Sequence, residues 1–286
     1  MLPQGKSELQ ARVTGRLSIV ERILGNYELA IRLGETAVAT YGAINHPIGM
    51  ARAWISLGNV YWSQGARTRA LGYYQRAYRQ RRKTTNYAAT AGALASVANI
   101  HVELGQLKEA RDEYEQVLSL AHRAGDRRII ARTENNLSEC LLLLGQPGTA
   151  LNHARSALLA CRKIGDRSEE PNVLINLGRI LGKLKFSQEA RNHLEAAAEV
   201  SRDVGDRRAQ AVSLSLLAQL LRSLPTTDCG ETANQTEDQA FALAQEIGAQ
   251  GLLETICNQA IEATEAAGDS TRLRSYRQRR AALPLP

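Results

Sequence analysis

Proline is scarce in this sequence, at 7 of 286 residues, and phenylalanine and tryptophan contribute only two each. Against abundant Ala, Leu and Arg, that scarcity points to an all-helical chain, since proline interrupts helices and large aromatics favour strands. Four cysteines (Cys140, Cys161, Cys229, Cys257) stand far apart with no C-x-x-C pair, which disfavours both a zinc site and a disulfide framework. No run approaches the roughly 20 apolar residues of a membrane-spanning helix. The start, MLPQGKSELQ, lacks the charged-then-apolar order of a secretory signal, so the expected location is the cytoplasm, with no membrane partner. Acid is also missing from one long stretch: no Asp or Glu lies between Glu35 and Glu103.

What is present is charge of one sign, unevenly spread. Residues 1–130 carry 18 Lys+Arg against 10 Asp+Glu, a net +8, while residues 131–286 carry 18 against 19, a net −1. The formal total of +7 is therefore a property of the first part of the chain.

The chain also repeats itself. Gly-Asp-Arg occurs at 125–127, 165–167 and 205–207, a spacing of 40. The same period carries Ala30, Ala70, Ala110, Ala150 and Ala190, and separately Gly25, Gly65, Gly105 and Gly145. Leu17, Leu57, Val97, Leu137, Leu177 and Leu217 form a further series, as do Ala37, Ala77, Val117, Ala157 and Ala197. Such internal similarity is the signature of a stacked array, in which each element covers its neighbour's apolar stripe. Trp54, Leu57, Gly58 and Tyr61 recur at helical steps on one face. Gly65 then ends that helix, and Ala70, Tyr74 and Ala77 mark the buried stripe of a second. The Gly-Asp-Arg segments join repeats, the glycine closing one helix and the aspartate accepting N–H groups of the next. Asp166 with Glu169 has the spacing of a capping box.

These residues resemble the tetratricopeptide repeat, in the variety with a period of about 40 found in spindle-orientation adaptors, kinesin light chains and sensor regions of bacterial signalling ATPases. The resemblance implies an all-α, right-handed α-solenoid of about seven antiparallel helical hairpins. The expected repeats run over 11–50, 51–90, 91–130, 131–170, 171–210, 211–253 and 254–286, as a single domain over 1–286. Lys185 replaces the turn glycine of the fifth, and residues 223–238 read as a polar loop before a shortened helix. The helix STRLRSYRQRRAAL presents the charged face of an end cap.

In the family, first helices line the concave surface, where extended or helical segments lie. Carried over by position, that groove includes Arg12, Arg16 and Arg22, then Arg52, Asn59 and Trp62, then Ser96, Asn99 and Glu103. Arg132, Asn135, Asn136 and Glu139 follow, then Asn172, Asn176, Arg179 and Lys183, with Gln219 and Arg222, then Asn258, Gln259, Glu262 and Glu265 beyond. Asparagine competes with the helix backbone for hydrogen bonds, so its recurrence at Asn59, Asn99, Asn136 and Asn176 asks for a reason. A carboxamide offers a donor and an acceptor together and can hold the backbone of an extended peptide; solvated surface positions are the blander account. Trp62 is either an anchor for a ligand side chain or packs on its neighbours, whereas Trp54 belongs to the core. The family's clamp for a C-terminal carboxylate finds no matching cations on Ala95, Asn99, Asn136, Asn172 and Asn176. An internal acidic or mixed segment fits Arg52, Arg132, Arg179 and Lys183 better.

A second basic surface, Arg76, Arg79, Arg81, Arg82 and Lys83, sits beside Tyr73, Tyr74 and Tyr78. Positive charge among aromatics suits nucleic acid, but second helices of this fold face the convex side, where arginines mark solvent or an acidic partner. The five histidines have no metal-ligand spacing, and neither a phosphate loop nor a nucleophile elbow appears. No cofactor, metal or catalytic residue is expected. The reading is a non-catalytic protein-protein interaction module that takes an extended or helical, acidic peptide segment in its concave groove. Its rivals are a ligand-sensing regulatory domain of a larger signalling or transcriptional regulator, and nucleic-acid binding through the basic second repeat.

Overall fold

A computed structural model describes residues 4–224 and 228–283. Among these, fourteen α-helices follow one another without a strand: α1 (Gln4–Ile23), α2 (Tyr27–Ala43), α3 (Pro47–Ser63), α4 (Arg67–Arg81), α5 (Tyr87–Glu103), α6 (Leu107–Ala124), α7 (Arg127–Leu143), α8 (Pro147–Ile164), α9 (Glu170–Lys183), α10 (Ser187–Val204), α11 (Arg207–Arg222), α12 (Asp228–Glu246), α13 (Gln250–Ala267) and α14 (Ser270–Ala281). This is an all-α helical-repeat solenoid. Within each compact unit the helices pair as hairpins, α1 with α2, α3 with α4 and α5 with α6, then α9 with α10, α11 with α12 and α13 with α14, beginning a few residues before the repeat boundaries drawn from the sequence.

The periodic residues explain the hairpins. Ala30, Ala70, Ala110, Ala150 and Ala190 are all fully buried, as are Ala37, Ala77, Val117, Ala157 and Ala197, and small side chains at these places let helix axes approach closely. The turn after α3 shows how a hairpin closes. Gly65 takes φ +79°, its N–H reaches Trp62 O at 2.9 Å, and Ala66 N–H reaches Tyr61 O at 2.9 Å. In the fifth hairpin Lys185 adopts φ 67°, with the same two bonds to Gly182 and Leu181; the helix-closing bonds hold a side chain where glycine is otherwise favoured.

The capping expectations divide. Asp126 accepts from Arg128 N and Ile129 N at 3.1 and 3.0 Å, and Asp206 accepts from Ala209 N at 2.9 Å. Asp166 instead takes the Ser168 hydroxyl at 2.7 Å, and α9 begins only at Glu170, with Pro171 in its first turn. Proline suits that position because it has no N–H to satisfy, and the N-cap of α9 is Glu169 rather than Asp166. The expected polar loop is also corrected: from Asp228 onward it is the start of α12, with Ala233 fully buried and Glu237 2% exposed. Residues 225–227 lie outside the described residues.

The chain divides into two compact units, Met1–Leu144 and Gly145–Pro286. In the N-terminal unit the first helices form one layer, α1 touching α3 and α5 touching α7, while α2, α4 and α6 pack behind them. In the C-terminal unit α9, α11 and α13 form the corresponding layer, backed by α10, α12 and α14. Leu17, first of the leucine series, is exposed on α1 with Leu9, Val13 and Val20, whereas Leu57, Val97, Leu137 and Leu177 are buried.

Candidate functional site

The first-helix layer of the N-terminal unit carries most of the residues singled out by repeat position. Its geometry starts from a glycine. A methyl group on Gly58 would stand 2.5 Å from the Tyr74 ring, so only glycine lets the ring pack this closely against α3. From there the Tyr74 hydroxyl donates to Asn59 Oδ1 at 2.6 Å. One repeat later Tyr114 donates to Asn99 Oδ1, again at 2.6 Å, and Asn136 Nδ2 donates to the same oxygen at 3.1 Å. Burial and the Glu103 charge push the Tyr74 phenol up to about 12, and burial raises Tyr114 as well, so both stay protonated donors at neutral pH.

The consequence is chemical. The carboxamide oxygens of Asn59 and Asn99 are committed inward, and their Nδ2 groups face away from these bonds. The pair therefore offers N–H donors, suited to carbonyl and carboxylate oxygens. Sequence reasoning missed the two tyrosines, although the signal was present: Asn59 and Tyr74, like Asn99 and Tyr114, are 15 residues apart. The next two repeats have Ala154 and Leu194 in place of the tyrosine.

Trp62 and Glu103 belong to one cross-link between successive repeats. Glu103 accepts the indole N–H of Trp62 at 2.5 Å and pairs with Arg67 Nε at 2.5 Å. The indole is still 45% exposed. Arg52 and Arg132 are exposed on α3 and α7, and no carboxylate among the described residues pairs with either. Asn135 and Glu139 are partly buried on α7. Arg22 is tied to Ser63 Oγ at 3.3 Å.

In the C-terminal unit Asn172 and Lys183 are exposed on α9 and Arg179 is partly buried, but Asn176 is only 4% exposed. It sits among the apolar residues of α9 and departs from a surface ladder. Arg222 is also withdrawn: its guanidinium grips Glu237 with two bonds, at 2.6 and 2.5 Å.

The basic surface of the second repeat is partly self-engaged. Tyr61 and Tyr73 stack at 5.3 Å, with Arg69 over Tyr61 at 5.7 Å and Arg76 over Tyr73 at 5.4 Å. Arg76, Arg79, Arg82 and Lys83 are exposed. Arg81 is not: it is 8% exposed, its Nε has no hydrogen-bond partner among the described residues, and burial together with the Arg52 charge pulls its pKa down.

Among the described residues no cluster of three or more His, Cys, Asp or Glu could hold a metal ion. His101 Nδ1 lies 2.7 Å from Glu113 Oε2, the carboxyl being raised chiefly by burial. Cys161 is buried, its thiol pushed up to about 11, so it packs rather than reacts. Among the described residues no helix is long and apolar enough to cross a membrane.

Comparison with known proteins agrees with this architecture. A family model described as tetratricopeptide repeat matches residues 9–83 and 88–163. No curated protein matches the sequence at a significant level. Aspartyl phosphate phosphatase F from Bacillus subtilis superposes with a TM-score of 0.79 at 14% identity, over 98% of this chain and 71% of that one. The apo form of RapI gives 0.78 at 17% identity, over 95% and 96%. The Rap conjugation gene regulator of plasmid pLS20, solved in complex with the Phr* peptide, gives 0.65 at 19% identity, over 92% and 70%. At these identities the likeness is one of fold.

Proposed function

The chain belongs to the tetratricopeptide repeat family, and from that premise we propose that it is a non-catalytic recognition module whose first-helix layer captures an extended, acidic polypeptide segment. The observation that carries this reading is the orientation of Asn59 and Asn99. With their oxygens held by Tyr74 and Tyr114, they can donate to the carbonyls of an extended backbone irrespective of its sequence. Arg52 and Arg132 on the same layer lack acidic partners among the described residues and favour negative side chains. The peptide in the pLS20 regulator complex is support by analogy of fold.

A displayed library of random peptides, selected on the full chain, tests this. Enriched peptides should be rich in Asp and Glu and should bind at least tenfold more weakly when Arg52 and Arg132 are both replaced by Ala. Asn136→Ala should weaken them less, since Asn136 acts by holding Asn99. A library that yields no binder, or binders indifferent to both changes, overturns the reading.

A second reading, a peptide-sensing regulatory domain, is favoured by the fold shared with a solved gene regulator. It differs in its output rather than in its ligand. Nucleic-acid binding through Arg76, Arg79, Arg82 and Lys83 has less support, because Arg81 is buried and Arg76 is stacked on Tyr73.

A further inference from the structure

Between α1 and α3 lies a cleft lined in part by the side chains of Arg12, Arg16 and Arg52, all three exposed. None of the three makes an ion pair with an acid among the described residues. The acids of α1 look elsewhere: Glu8 lies 3.8 Å from His46 Nε2, and Glu21 accepts from Asn26 Nδ2 at 2.8 Å. α3 and α4 contain no acid at all. Tyr41 and Ser56 line the same cleft on side chains more than nine-tenths buried, and neither hydroxyl makes a hydrogen bond among the described residues. Ala11, Gly15 and Ala53 supply small apolar walls.

Three arginines without acid partners give the cleft a positive potential that favours an anion. A carboxylate carries one charge and two oxygens. A phosphoryl ester carries nearly two charges at neutral pH and three acceptor oxygens, more than a carboxylate offers to arginine donors. Arg81, buried and within reach of the Arg52 charge, adds to the positive charge of this region. The small apolar walls leave room for the stem that carries the group.

We infer that the Arg12–Arg16–Arg52 cleft is a subsite for a phosphorylated side chain of the captured segment. This rests on the proposed polypeptide capture for its biological setting, but the subsite can be tested without a polypeptide. The probes are acetyl-phosphoserine amide, acetyl-glutamate amide and acetyl-serine amide, titrated calorimetrically into the full chain. The arginine Nε–H resonances are followed in parallel by NMR. The phosphorylated probe should bind at least tenfold more tightly than the glutamate probe, and the serine probe should not bind. Arg12→Ala, Arg16→Ala and Arg52→Ala should each weaken it at least fivefold. Arg52→Lys should weaken it too, because an ammonium cannot form the two-pronged bond. Lys108→Ala, on α6, should change nothing, and unchanged circular dichroism will show that the variants fold. Equal affinity for glutamate and phosphoserine probes, or indifference to the three alanine changes, overturns the subsite.

The two proposals fail separately. If the phosphorylated probe does not bind while unphosphorylated library peptides still bind through Arg132, the cleft assignment falls and polypeptide capture stands. If the probe binds as expected and the library yields nothing, the cleft stands and the capture reading falls.

Discussion

In the N-terminal unit 19 Lys and Arg face 12 Asp and Glu, whereas the C-terminal unit holds 17 of each. The whole formal charge of +7 thus belongs to one unit. The two use arginine differently. In the C-terminal unit Arg167 reaches Asp203 and Arg207 reaches Glu246, joining successive repeats. Arg222 grips buried Glu237, while Arg272 and Arg279 share Asp238. In the N-terminal unit Arg67 pairs with Glu103, but Arg12, Arg16, Arg52 and Arg132 have no acid among the described residues. An arginine beside an acid is absorbed into the scaffold; one without an acid is left available to a ligand.

Three substitutions can break or sharpen this contrast, beginning with the largest effect. Glu237→Ala should strand the Arg222 guanidinium in the interior and cost about 3–5 kcal/mol, measured by urea unfolding. A loss comparable to that of an exposed pair would erase the distinction between the units. Gly58→Ala drives a methyl group into the Tyr74 ring and should cost about 1–3 kcal/mol. It should also loosen the Tyr74–Asn59 bond, seen as a shift of the Asn59 side-chain amide resonance. Arg52→Ala should leave stability within about 0.5 kcal/mol of the parent. A larger drop would mean that Arg52 serves the scaffold after all.

The fold was legible because its signals are backbone and packing requirements. The 40-residue spacing of Gly65, Ala70 and Ala77 with their equivalents marks turns and close contacts, and both follow from one residue at a time. Pairings between distant side chains were not legible. Glu237 and Arg222 look like surface charges in the sequence, and only the packing of α11 on α12 brings them together out of water. The stretch from 228 to 238 reads as loop because it is polar, yet Ala233, Ala240 and Ala244 give α12 a buried stripe. In the candidate site the asparagines stood out as poor helix residues, but which of their atoms remains available depends on Tyr74 and Tyr114. Arg81 was grouped with an exposed patch by proximity in sequence, whereas the end of α4 turns it inward.

The Trp62–Glu103–Arg67 cross-link has a practical side. The chain has only two tryptophans, and Trp62 combines a half-open indole with a carboxylate hydrogen-bonded to its ring N–H. Indole emission responds to solvent exposure and to nearby charge. A ligand that drew Arg67 or Glu103 toward itself would therefore change the colour and intensity of the protein's own fluorescence, giving the first-helix layer a reporter that needs no label.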